Sequence, residues 1–86
     1  MIPKFPLGHV VATPGALAAL DASGQHPREF LARHVAGDWG EVSKADWREN
    51  ELSLREGLRV LSAYTTTHGA TLWVITDVDR RTSSYM

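Results

Sequence analysis

The strongest constraint on this chain is a change of period at Gly57. Before it, apolar residues recur at helical spacing between recognisable caps. After it, β-branched and aromatic residues fill two short runs separated by a turn pair. Helical punctuation followed by strand patterning, without alternation, is the signature of an α+β domain with helices laid on one sheet. With 86 residues the chain has room for one domain, spanning 1–86, and one modest core.

The helical part is legible from its ends. Thr13-Pro14 reads as an N-cap followed by proline at the first helical position, and Gly24 stops that helix, giving 14–23. Pro27 opens a second helix over 27–36, with Phe30, Leu31, His34 and Val35 in one apolar stripe and Glu29 spaced to pair with Arg33. Gly37 ends it, and Asp38-Trp39-Gly40 reads as a turn. Ser43 caps a third helix, 44–56, with Asp46 at the capping-box position and Val42 and Trp47 placed to staple its start. Its inward stripe is expected to hold Trp47, Leu54 and Glu51, the last paired with Arg55.

Beyond Gly57, residues 58–67 and 70–77 flank His68-Gly69 and predict a β-hairpin, the centre of a small antiparallel sheet carrying two or three helices. A two-residue loop sets Tyr64 opposite Trp73, Ala63 opposite Val74 and Thr65 opposite Leu72. Leu61, Ala63, Leu72 and Val74 then form one face, and Val60, Tyr64, Trp73 and Ile75 the other. Helices cover one apolar face. The second needs the Phe5–Val11 segment or another subunit, so Val60, Tyr64, Trp73 and Ile75 form the expected surface for self-association or a protein partner.

Composition narrows the function classes. The absence of cysteine removes disulfides, thiolate nucleophiles and sulfur-ligated zinc. Nine Lys and Arg balance ten Asp and Glu, which argues against coating nucleic acid by bulk charge. Of those 19 charges, 13 fall between residues 28 and 59, as expected of solvated helices over a more apolar sheet. The apolar run from Met1 to Val11 is broken by Pro3, Pro6 and Gly8, too short for a signal peptide or membrane helix. A cytoplasmic protein without membrane contact is the expectation.

Few residues suggest chemistry. His34 one turn from a helix end, followed by Asp38 in a turn, could form a His–carboxylate pair for acid–base work, or could be a core histidine beside a turn cap. Lys44, Arg48 and Arg55 share one flank of the third helix and could grip phosphates or an acidic partner, or simply be solvated. Asp77 and Asp79 lack further oxygen ligands, so no metal is expected there. Arg80-Arg81 with Thr82, Ser83 and Ser84 reads as a phosphate contact or as a frayed polar terminus. No phosphate loop, dinucleotide fingerprint, nucleophile elbow or zinc pair occurs, and no cofactor is implied.

Thr13-Pro14-Gly15-Ala16-Leu17, Phe30-Leu31-Ala32-Arg33-His34 and Gly37-Asp38-Trp39-Gly40, continued by Asn50, Gly57, Arg59, Leu61-Ser62-Ala63-Tyr64, Trp73-Val74-Ile75-Thr76 and Asp79-Arg80, resemble a family of small plasmid-related proteins. That family belongs to bacterial plasmids, phages and other mobile elements. The resemblance covers roughly residues 13–80, and its most specific element is Arg-His-x-x-Gly-Asp-Trp-Gly. It implies a genetic context and no particular reaction. Members continue past Asp-Arg with a Thr-rich apolar strand and a Pro-containing end, whereas Thr82–Met86 here is shorter and more polar. The matched polar residues Arg33, His34, Asp38, Asn50, Tyr64, Thr76, Asp79 and Arg80 are expected to converge, as a structural network or a pocket.

The expected function is therefore that of a mobile-element accessory protein acting by macromolecular binding. The alternatives are a small toxin-like ribonuclease using Arg33, His34, Asp38 and Arg80, and a nucleic-acid binder using Lys44, Arg48 and Arg55.

Overall fold

The computed structural model describes residues 4–86; Met1–Pro3, the start of the N-terminal apolar run, lie outside the described residues. The elements are β1 (His9–Ala12), α1 (Pro14–Ser23), α2 (Pro27–Val35), α3 (Lys44–Glu56), β2 (Val60–Thr65), β3 (Thr71–Thr76) and β4 (Thr82–Tyr85). The first and third helices begin and end where the caps predict, and α2 ends at Val35, one residue short of the predicted 36, with Ala36 as its C-cap. Thr13 Oγ1 accepts from the Ala16 N–H at 3.2 Å and Ser43 Oγ from the Asp46 N–H at 3.1 Å. For α2 the cap is a histidine, whose Nδ1 accepts from the Arg28 N–H at 3.0 Å. Among the described residues no helix is long and apolar enough to cross a membrane.

The strands form one mixed sheet in the order β1-β4-β3-β2, with β1 parallel to β4 and the other pairs antiparallel. The fold class is α+β, but the sheet built around the hairpin is mixed and not antiparallel as expected, because β1 joins β4 in parallel. Thr82–Tyr85, which reads as a frayed end, is an interior strand with buried Ser83 and Tyr85. Its polarity is tolerated because the Ser83 hydroxyl is hydrogen-bonded on both sides.

The hairpin loop also differs from expectation. Thr66 N–H donates to Ala70 O at 2.8 Å, and Gly69 N–H donates to Thr66 O at 2.9 Å. The loop is thus Thr67-His68-Gly69, with Gly69 left-handed at φ +82°, the form that favours glycine. One extra loop residue moves the register by one, setting Tyr64 opposite Leu72, Ala63 opposite Trp73 and Thr65 opposite Thr71. The faces regroup accordingly. Val60, Ser62, Tyr64, Leu72, Val74 and Thr76 share one face and are all buried, while Leu61, Ala63, Trp73 and Ile75 share the other. The expected surface of Val60, Tyr64, Trp73 and Ile75 is therefore split between two faces.

All the helical packing falls on the first face. Ala16, Leu20 and Phe30 pack there against Tyr64, Leu72, Val74 and Tyr85. Beside them, Phe5, Trp39 and Val60 form a second cluster, joined by Leu7, Val35, Val42 and Leu54. Phe5, a candidate cover for the outer face, is spent on the helical side instead. At the β2 edge, Gly40 bridges to Ala63, and a Cβ at Gly40 would lie 2.1 Å from the Ala63 carbonyl oxygen. That close approach, at φ +75°, is why glycine follows Trp39.

Candidate functional site

The helical spacing of α2 turns Phe30 and His34 inward, and His34 is 0% exposed. Opposite His34, where a sheet ordinarily presents aliphatic residues to its helices, this one presents Ser62 and Thr76, with Ser83 behind them. The His34 Nδ1 meets Ser62 Oγ, and the Nε2 meets Thr76 Oγ1 at 2.9 Å. Thr76 Oγ1 lies 2.8 Å from Ser83 Oγ, which donates to Leu7 O at 2.8 Å.

Counting donors fixes every hydrogen-bond direction in this chain for a neutral imidazole. A hydroxyl has one proton to give. Ser83 gives its proton to Leu7, so it accepts from Thr76; Thr76 in turn accepts from His34 Nε2–H, leaving Nδ1 to accept from Ser62. The imidazole is held neutral in one tautomer between β2, β3, β4 and the N-terminal segment. Phe5 and Trp39 close over it edge-to-face, with ring centroids 5.2 and 5.6 Å away. Burial, helped by the Arg80 charge, pushes its pKa down to about 4.

The other polar residues separate into local pairings. Asp38 bonds Arg33 and not His34: Arg33 Nε donates to Asp38 Oδ2 at 2.8 Å, the one ion pair among the described residues. That contact holds the Asp38 carboxyl below its usual range and raises the Arg33 guanidinium. The guanidinium lies 4.5 Å above the Tyr64 ring, and the Tyr64 hydroxyl donates to Asp38 O at 2.6 Å. Desolvation pushes the Tyr64 phenol up to about 12.

The expected Glu29–Arg33 pair does not form; Glu29 accepts from the Gln25 amide at 2.7 Å. Nor does Glu51 pair with Arg55. It is exposed and accepts from Trp39 Nε1 at 3.0 Å, while Asn50 and Ser53 take the buried positions on α3. Trp47 stays at the margin, 36% exposed.

Asn50 donates to Leu61 O at 2.7 Å and accepts from Leu61 N–H at 3.0 Å, finishing the β2 edge as a third strand would. Arg80, left-handed at φ +59°, donates to Asp77 O at 3.1 Å and to Ser53 O at 3.3 Å, with its guanidinium 5.4 Å from the Phe5 ring centroid. Asp79 accepts from the Arg81 N–H at 2.9 Å within the β3–β4 turn. The eight matched polar residues thus do not form the single cluster expected: His34 and Thr76 join the buried chain, Arg33, Asp38 and Tyr64 form a second group, and Asn50, Asp79 and Arg80 make separate contacts.

Two surfaces remain. Lys44, Arg48 and Arg55 are exposed and make no ion pair among the described residues. The outer sheet face carries Val11, Leu61, Ala63, Trp73, Ile75 and the paired end residue Met86, with Trp73 42% exposed. None of its strand positions holds a charged residue. A groove of about 370 Å³ between α1 and α2, lined by Leu17, Asp21, Gln25 and His26, has its amide and imidazole already engaged in local bonds. Among the described residues no group of three or more His, Cys, Asp or Glu is placed to hold a metal ion.

Sequence reasoning missed Ser62 and Ser83 as members of the buried chain. The available signal was Ser62 at a core-facing position of a strong strand, which demands a partner. Comparison with protein-family models, with curated proteins and with solved structures finds no match to this chain.

Proposed function

We propose that this chain is a binding protein whose working surface is the outer face of the sheet, and that its partner is another protein. The observation that carries this is Trp73, a large aromatic held 42% exposed on an interior strand beside Ala63, Leu61, Ile75 and Met86. Large aromatics at the centre of an uncharged, partly apolar patch are typical anchors of protein interfaces. The lack of cations on that face disfavours a phosphate backbone as its occupant. An accessory role for a mobile element is the setting implied by the sequence resemblance.

The ribonuclease reading is disfavoured because His34 has both ring nitrogens occupied and no exposed surface. The nucleic-acid reading rests on Lys44, Arg48 and Arg55, but Glu51 lies on the same flank of α3.

The test is a photo-crosslinking residue placed at Trp73 in the full chain, with Leu52 on α3 as control, in cells that carry the gene. An adduct to one distinct protein, formed from position 73 and not from 52, is the expected result. Equal labelling from both positions, or adducts to nucleic acid, would contradict it.

A further inference from the structure

The two edges of the sheet are finished differently. Along β2 the outward backbone groups are taken. Asn50 bonds both groups of Leu61, Ala63 N–H donates to Trp39 O at 3.1 Å, and Ala63 O accepts from Glu41 N–H at 2.7 Å. Along β1 the inner side is used: His9 N–H donates to Arg81 O at 2.7 Å and Thr13 N–H to Tyr85 O at 3.0 Å. Alternation along the strand then turns the N–H and C=O of Val10 and Ala12 outward. Among the described residues nothing bonds them.

Natural sheets blunt a free edge with a charge, a proline or a bulge. His9-Val10-Val11-Ala12 has none of these, and Val10 and Val11 are 40% and 41% exposed. We propose that β1 pairs antiparallel with β1 of a second copy about a two-fold axis at Val11, joining two four-stranded sheets into one.

The edge suits its own copy. With the axis at Val11, Val10 lies opposite Ala12 of the partner subunit, and Ala12 lies opposite the partner's Val10. All the outward donors and acceptors are then matched in hydrogen-bonded positions. No Lys, Arg, Asp or Glu occurs between residues 9 and 12, so identical side chains meet without like-charge repulsion. Valine at consecutive positions favours the extended form. The pairing leaves Trp73 uncovered, and so is separate from binding on the sheet face.

Sedimentation of the full chain tests it. The wild type is expected at dimer mass. Val10→Pro removes an outward N–H that the monomer does not use, a substitution edge strands tolerate. It is expected at monomer mass with unchanged far-ultraviolet circular dichroism. Should proline disturb folding, Val10→Lys decides, with self-association expected to weaken at least tenfold. A wild type that remains monomeric at millimolar concentration overturns the proposal. So does a dimer whose affinity is unchanged in folded Val10→Pro or Val10→Lys, including one lost only in Trp73→Lys, which would place the contact on the sheet face.

Discussion

Each face of the sheet carries an exception to the usual arrangement. The buried face carries Ser62, Thr76 and Ser83 around His34, while the outer face carries Trp73, Ile75 and Leu61. Inside, among the described residues, no buried side-chain nitrogen or oxygen lacks a partner within the chain. Outside, the apolar groups have no such partner. A satisfied polar interior is architecture, whereas an unsatisfied apolar exterior is a surface waiting for another molecule.

Removing the centre of the inner face should have the largest effect. His34→Ala leaves a cavity, strands the Ser62 hydroxyl proton and removes the donor to Thr76, and is expected to cost roughly 3–5 kcal/mol in urea unfolding. Against a domain stability of about 5–15 kcal/mol, that brings the chain close to unfolding. A variant no less stable than wild type would show that the network does not hold the fold.

Acid should act on the same residue. With a folded pKa of about 4 against 6.5 for a free imidazole, His34 takes up its proton more readily in the unfolded chain. Its neutral form imposes no penalty above pH 6.5; stability is lost as pH falls from there towards 4, by up to roughly 3 kcal/mol. The loss should vanish in any folded variant lacking the imidazole, as measured by denaturant midpoints across that range.

A finer cut removes one link. Thr76→Val keeps the shape but leaves His34 Nε2–H without an acceptor and Ser83 Oγ without its donor, at an expected cost of about 1–3 kcal/mol. The smallest stability effect belongs to the outer face. Trp73→Thr should stay within about 0.5 kcal/mol of wild type while abolishing partner retention. If instead Trp73→Thr destabilised the chain as much as Thr76→Val, the outer face would be structural and the contrast would fail.

The helices were legible because their ends are local. Thr13, Ser43 and Gly57 satisfy backbone groups within one turn, so their positions follow from neighbours in sequence. The β4 strand was not, because Thr-Ser-Ser-Tyr is extended only when Ser83 finds Thr76 and Leu7, partners distant in sequence. The hairpin register turned on one loop residue, which sequence spacing around His68-Gly69 does not settle. That the matched polar residues divide into separate local groups was not legible. Asp38 had two basic neighbours within reach, and the outward turn of Arg33 and inward turn of His34 on α2 decided between them.

Nitrogen NMR of the His34 imidazole tests most directly whether the inner polar group is architecture or chemistry. The structure predicts a single neutral Nε2–H tautomer, slow to exchange with water and uncharged until the pH nears 4. A ring that titrates near 6.5, exchanges tautomers or loses its proton rapidly to solvent would contradict that account and reopen His34 as a catalytic base.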